Sequence, residues 1–426
     1  WARRCVEETV AGPITAANLL QARAARSSVS ALFEAAEPMQ GFEFNTVSRL
    51  ISGTGSALEL ADQCRHLGVS CPLLVTDPGL VQIGLVAPVM EALTASGQAP
   101  VLFDQVREDP PEATVLAAAE LARVREVDGV IGLGGGSSMD VAKVVAVLLG
   151  GEQALTELYG VGMVTGGRLP LMLVPTTAGT GSEVTPVAVI TTGETTKAGV
   201  SSPVLLPDVA VLDAGLTLGL PPVITAMTGV DAMVHAIEAY TSRHQKNLLS
   251  DNLARQALVM LARNIRTAVH DGGNSEAREA MLLGACLAGQ AFANAPVAAV
   301  HALAYPLGGH YHIPHGLSNS LVLPSVLDFN AEAAMPLYAE LAELVIGESV
   351  AGSIEARAQA LIAALVQLIS DVGLPATLSE AGVPETDLEM LAEDAMLQQR
   401  LLVNNPRDVG YEDALAIYRA AYGDAI

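Results

Sequence analysis

The sequence predicts an α/β domain with a parallel sheet and covering helices, followed by an all-helical domain. Three observations carry this. Five short apolar runs each end in turn residues, helical patterns lie between the early runs, and strand-like runs stop after about residue 216. Uninterrupted apolar runs of about four to five residues suit strands buried on both faces. Strands alternating with helices build a layered α/β domain.

The elements follow in order. Leu73-Leu74-Val75-Thr76-Asp77 runs into Pro-Gly, and Pro100-Val101-Leu102-Phe103-Asp104 follows a helical stretch. Gly129-Val130-Ile131-Gly132-Leu133 leads into three glycines, and Leu171-Met172-Leu173-Val174 into Pro-Thr-Thr. Val209-Ala210-Val211-Leu212-Asp213 closes the series. Residues 221–270, 275–305 and 331–426 read as helices, with Ala and Leu at helical spacing and few β-branched runs. The boundary falls near Leu216–Pro221, giving an α/β domain over 39–216 and a helical one over 217–426. Residues 1–38 hold Arg3, Arg4, Arg23 and Arg26 but also four glutamates. A transit peptide is poor in acids, so this stretch reads as an upstream extension outside the fold.

Composition narrows the function. The chain has 426 residues and 43.9 kDa, with 51% hydrophobic and 16% charged residues, which excludes a disordered chain. Acidic residues number 46 and basic ones 22, a formal charge of −24. That balance argues against a nucleic-acid backbone or an anionic membrane as partner, and leaves few cations to mark anion sites. Cys5, Cys64, Cys71 and Cys286 show no CxxC spacing. This excludes a disulfide scaffold and a thiolate zinc site, and fits a cytoplasmic protein. No run of 18 or more uncharged apolar residues has membrane-like flanks.

Two polar loops follow buried strands. Gly134, Gly135, Gly136 and Ser137 open a helix, where backbone N–H groups and the helix field favour a phosphate. The cluster fits neither G-x-G-x-x-G nor a P-loop, and a plain strand-to-helix turn is the alternative. The run Pro175-Thr176-Thr177-Ala178-Gly179-Thr180-Gly181-Ser182-Glu183 converges hydroxyls and glycine N–H groups without charge, which suits sugar or phosphate oxygens. Two such loops at the ends of parallel strands face one nucleotide crevice. Ser182 as a nucleophile is the alternative, but G-x-S-x-G is absent. Asp77 ends an early strand, where an acid either reads ribose hydroxyls or caps the Asp-Pro-Gly turn.

In the helical half, Asp231 and His235 stand at i and i+4 and share a helix face. His301, His310, His312 and His315 fall in one further segment. An aspartate and a histidine one turn apart, with two more histidines, offer one oxygen and three nitrogen donors, a set suited to Fe(II), Zn, Mn or Co. Isolated histidines are commonly core or cap residues; a charged set on an apolar helix face points instead to a metal.

With these residues quoted, the chain from about Phe42 onward resembles the iron-containing, or group III, alcohol dehydrogenases, and more distantly the dehydroquinate synthases. The resemblance rests on Ser52-Gly53-Thr54-Gly55, Val75-Thr76-Asp77, Gly134-Gly135-Gly136-Ser137, the Pro175–Glu183 run, Gly229-Val230-Asp231-Ala232, Pro314-His315-Gly316 and Asn405-Pro406-Arg407. It implies Asp231, His235, His301 and His315 as ligands of Fe(II) or Zn(II). It implies Gly136 and Ser137 on the cofactor pyrophosphate, beside Gly135. Thr176, Thr180 and Thr185 match positions lining the nicotinamide, with Thr177 in the same loop, and Lys197 matches a lysine near the cofactor. Asp77 matches an acid that reads the adenosine ribose and points to NAD over NADP. Asp109 stands where the family often has Asn.

One position departs from the family. Tyr305 occupies the place of a common second histidine, four residues after His301. It stays one helical turn from that ligand and becomes the candidate proton relay, with an ordinary pKa of about 10. The expected protein is a metal- and NAD-dependent oxidoreductase, by resemblance a homodimer, acting on a small alcohol, aldehyde or hydroxy acid. The alternatives are a hydroxyacid–oxoacid transhydrogenase-like enzyme, a glycerol-phosphate dehydrogenase-like enzyme, or a non-catalytic relative. The shortage of Lys and Arg around residues 281–320 speaks against a phosphorylated substrate.

Overall fold

In a computed structural model the structure describes residues 41–193 and 196–423. The expectation for residues 1–38 lies outside them. Within residues 44–426 the first half is built on six parallel strands. These are β1 (Arg49–Ser52), β2 (Pro72–Val75), β3 (Val101–Phe103), β4 (Gly129–Gly134), β6 (Leu171–Pro175) and β9 (Val209–Leu212), in spatial order β1-β9-β6-β4-β2-β3. Every residue of β2, β4, β6 and β9 is buried. Alternate side chains enter opposite cores, the signature of a sheet covered on both faces. Leu73 and Val75 pack with Val130, Leu171 and Leu173 on one side, and Leu74 packs with Ile131, Met172 and Val174 on the other.

Helices α1 (Leu60–Leu67), α2 (Pro78–Gln82), α3 (Ala87–Ala95), α4 (Glu112–Val124) and α5 (Gly136–Gly150) follow the strands. The chain steps from β2 outward to β3, then back across β2 to β4. That reversal opens a crevice at the carboxyl ends of β2 and β4, where an open α/β sheet takes its ligand. The sequence reading lacks two features. Edge strand β1 is one. The other is a small sheet in which β7 (Val187–Thr192) pairs antiparallel with β8 (Thr196–Ser201), and β8 pairs with the two-residue β5 (Gly160–Val161). β7 is half-buried in alternation and threonine-rich, so it carries no continuous apolar run.

The second half is helical, as expected: α6 (Pro222–Thr241), α7 (Leu248–His270), α8 (Ser275–Asn294), α9 (Ala299–Tyr311), α10 (His315–Ile346), α11 (Ile354–Asp371), α12 (Leu388–Ala395), α13 (Gln399–Leu402) and α14 (Tyr411–Tyr422). Helix α10 starts well before the expected residue 331, at His315, and carries Pro324 and Pro336 within it. Helix α6 is buried on nearly all sides, the mark of a central helix. Asn247, Asn274 and Ser353 cap α7, α8 and α11 by accepting from backbone N–H groups. No single described helix is long and apolar enough to cross a membrane.

Candidate active site

Three helices bring the four expected ligands together. Asp231 and His235 project from adjacent turns of α6, His301 from the first turn of α9, and His315 from the start of α10. Their donor atoms all lie within 4.8 Å of one another. Asp231 Oδ1 is 3.9 Å from His235 Nε2, 4.0 Å from His301 Nε2 and 3.7 Å from His315 Nε2. Asp231, His235 and His301 are buried, whereas the His315 side chain is 39% exposed, so the cluster opens on the His315 side. His235 stacks between Phe292, at 4.3 Å between ring centroids, and His301, at 4.8 Å.

The donor set fits a cation. Nitrogen and oxygen ligands sit about 2.0–2.2 Å from a zinc-like ion, so pairs around one ion stand about 3–4 Å apart, the spacing that Asp231 Oδ1 keeps to each of the three histidines. A buried carboxylate demands a positive partner. Burial pushes the His235 imidazolium down to about 3, outweighing Asp231, so its ring is neutral with a lone pair to give. Burial lowers His315 too. At Asp231 burial pulls upward, but the three imidazoles and Asn319 prevail and hold the carboxyl below its ordinary value.

Two further residues shape the cluster. Glu238 Oε2 lies 2.6 Å from His301 Nδ1, and its Oε1 accepts from the Val300 N–H at 2.7 Å. A carboxylate only accepts, so Nδ1 carries the proton and Nε2 presents its lone pair to the cluster. Asn319 Nδ2 donates to Asp231 Oδ1 at 2.6 Å and stands 3.2 Å from His301 Nε2 and 3.3 Å from His315 Nε2. The sequence reading passed over both residues. Glu238 was findable, since it continues the Asp231, His235 stripe at i+7 on an otherwise apolar helix. Asn319 sits one turn beyond His315.

His310 and His312 stay outside the cluster. His310 pairs with Asp394 at 2.5 Å near the surface. His312 is exposed and ends α9 in the left-handed conformation, φ 54°.

The two polar loops meet at the crevice. The Thr176 N–H donates to Gly134 O at 3.0 Å. A Cβ added to Gly136 would stand 3.0 Å from Thr180 Cγ2, so only glycine leaves the loops this close. Gly135 caps α5 without a side-chain partner, which leaves Gly136 and Ser137 at an uncapped, positively polarised helix start, the environment an anionic phosphate requires. Asp77 caps α2, accepting from the Leu80 N–H at 3.0 Å. Thr177 is half-buried beside Gly135.

Thr185 lies deeper. It is 3% exposed, and its hydroxyl accepts from Lys143 Nζ at 3.3 Å. Lys143, fully buried, also donates to Ser182 Oγ at 2.8 Å and Val187 O at 2.7 Å, and Ser182 donates to Asp140 at 2.6 Å. Ser182 is thus a pin between α5 and the threonine loop. Lys197 pairs with Asp109 at 2.6 Å, and His315 senses both charges. The Tyr305 ring is 5.9 Å from that of His315. Burial pushes the phenol up, while the positive charge of nearby Arg400 acts in the opposite sense.

A doubly covered parallel sheet with a glycine- and threonine-rich loop pair, joined to a buried cluster of one aspartate and three histidines open on one side, is the arrangement of a metal-binding oxidoreductase. The chain belongs to the iron-containing alcohol dehydrogenase family. Residues 47–214 match its iron-containing alcohol dehydrogenase description, and residues 225–422 its Fe-containing C-terminal one. The chain is similar to long-chain-alcohol dehydrogenase 1 of Geobacillus thermodenitrificans, 41% identical over 88% of this chain and 95% of that one. Among solved structures, a 1,3-propanediol oxidoreductase superposes with a TM-score of 0.87 at 37% identity, covering 90% of this chain and all of that one. Sulfoacetaldehyde reductase from Bifidobacterium kashiwanohense, solved with NAD+, gives 0.80 at 29% identity over 89% and 98%.

Proposed function

We propose that this chain is an iron(II)- and NAD(H)-dependent dehydrogenase that interconverts a small alcohol and its aldehyde, working as a cytoplasmic homodimer. The observation that carries this reading is the Asp231, His235, His301, His315 cluster, buried on three ligands and open at the fourth. Residues 39–216 would bind the dinucleotide, and residues 217–426 would hold metal and substrate. NAD is favoured over NADP by Asp77 at the end of β2, and an NAD+ complex of a similar structure supports it. When bound, the metal supplies polarisation of the substrate oxygen and the nicotinamide supplies or accepts the hydride.

The chain's own residues do the rest. Gly135, Gly136 and Ser137 receive the pyrophosphate at the α5 N-terminus. Thr176, Thr177 and Thr180 line the crevice beside it, with Thr185 and Lys143 pinning their loop from beneath. Glu238 fixes the His301 tautomer. Asn319 steadies the Asp231 carboxylate. Tyr305, one helical turn after His301, holds the exchangeable proton at its Oη.

His301→Ala and His315→Ala test the reading on anaerobically purified protein. Each should lose bound iron and turnover while keeping NADH affinity. A variant that stays iron-loaded and active would overturn the ligand assignment. Sedimentation of the native chain tests the dimer.

A further inference from the structure

The open side of the cluster has an unusual lining. Arg400 lies on α13 with an exposed side chain. Arg243, Arg266 and Arg407 each face a carboxylate, whereas Arg400 makes no ion pair among the described residues. Its guanidinium lies near enough to Tyr305 to act on the phenol, whose ring is 5.9 Å from that of the ligand His315. Its other neighbour is β8, where a Cβ added to Gly199 would stand 3.8 Å from Arg400 Nη1. Lys197 lies two residues along the same strand and so on the same face, but Asp109 neutralises it. Among the described residues, Arg400 is therefore the cation at the mouth of the site that no carboxylate neutralises, in a chain of charge −24.

We propose that Arg400 anchors an anionic terminus on the substrate, so that the site prefers short aldehydes and alcohols ending in a carboxylate or sulfonate over uncharged ones. This rests on the dehydrogenase reading above. Arg400 has only donors, so toward it Tyr305 Oη can act only as an acceptor, which leaves the phenol proton free to point elsewhere. The remaining guanidinium N–H groups form a fork matched to a planar or tetrahedral oxyanion. Gly199 keeps the approach to that fork clear of a side chain. Phosphate groups of the cofactor have their own place at the start of α5, which leaves the fork to the substrate.

The test uses iron-loaded full-length protein and NADH. The readout is the ratio of kcat/KM for succinate semialdehyde, and for sulfoacetaldehyde, to that for butanal. In the native protein at least one ratio should exceed tenfold, and which one identifies the oxyanion. Arg400→Met should lower that ratio at least tenfold, through KM of the anionic aldehyde, with NADH affinity retained. Arg400→Lys keeps the charge and loses the fork, and should recover part of it. A native ratio near one, a ratio unmoved by Arg400→Met, or a parallel loss of NADH affinity overturns the proposal while leaving the dehydrogenase reading intact. If iron-loaded, NADH-binding protein reduces none of the three aldehydes, the dehydrogenase reading falls instead. Calorimetric titration of γ-hydroxybutyrate against butan-1-ol into the NAD+-loaded protein then judges the anchor alone. Binding of the acid that Arg400→Met abolishes sustains it, and binding insensitive to that change refutes it.

Discussion

Glu238 shows how one buried side chain sets the chemistry of another. Its carboxylate, 4% exposed, is engaged at both oxygens by His301 and by the Val300 N–H. Glu238→Gln should weaken iron binding by about 10- to 100-fold, since the amide no longer imposes the His301 tautomer. Competition with a chromophoric chelator would read it, and an unchanged affinity would show that His301 needs no such partner. Glu183 offers a pH test away from the metal. Burial drives its carboxyl up to about 7 from 4.5, with Lys143 and Cys286 acting in the opposite sense. Because the folded value is raised, its contribution to stability is fully present below about pH 4.5 and is lost as pH rises through about 7. Glu183→Gln should therefore gain on the native protein between about pH 5 and 7.5, by on the order of 3 kcal/mol. Denaturant midpoints at the two pH values measure this, and a constant difference would refute it. At this scale the sequence exposes the ligands, because His and Asp on apolar helices stand out. It conceals Asn319 and Arg400, whose roles depend on helices that meet only in the fold.

Among the elements, the approach of α10 to α6 places His315 over Asp231. A Cβ on Gly316 would overlap the Met227 carbonyl oxygen on α6 and stand 3.3 Å from Asp231 Cβ. Gly316→Ala should push the start of α10 away, with a stability loss of about 1–3 kcal/mol typical of overpacking. Its iron affinity should fall although all four ligands remain. Metal titration of the refolded variant checks this, and native affinity would mean the crossing has slack. The strands β2, β4, β6 and β9 are legible in sequence because burial on both faces makes them continuously apolar. The β7–β8 pair is not, because half-buried Thr191, Thr192 and Gly199 and exposed Lys197 break the pattern. The start of α10 is hidden as well, since His, Gly and an internal Pro are weak helix formers whose place is set by packing against α6.

For the whole molecule, the cluster ties α6, α9 and α10 together at a point where Asp231 carries a buried negative charge. An ion bound only by the folded chain stabilises it by about 4 kcal/mol at a thousandfold excess over Kd. Anaerobic chelation should therefore lower the melting temperature by several degrees, and iron should restore it. His315→Ala should show a much smaller response, because the most exposed ligand is gone and three donors hold the ion weakly. The phosphate side of the sheet crevice draws on β2, β4 and the start of α5 rather than on the ligand-bearing helices, so NADH should still bind chelated protein. A melting temperature indifferent to iron would mean that the histidine helices are held by their apolar packing alone. In that case Asp231 would be satisfied by Asn319, and the cluster would add specificity for the ion without adding stability to the fold.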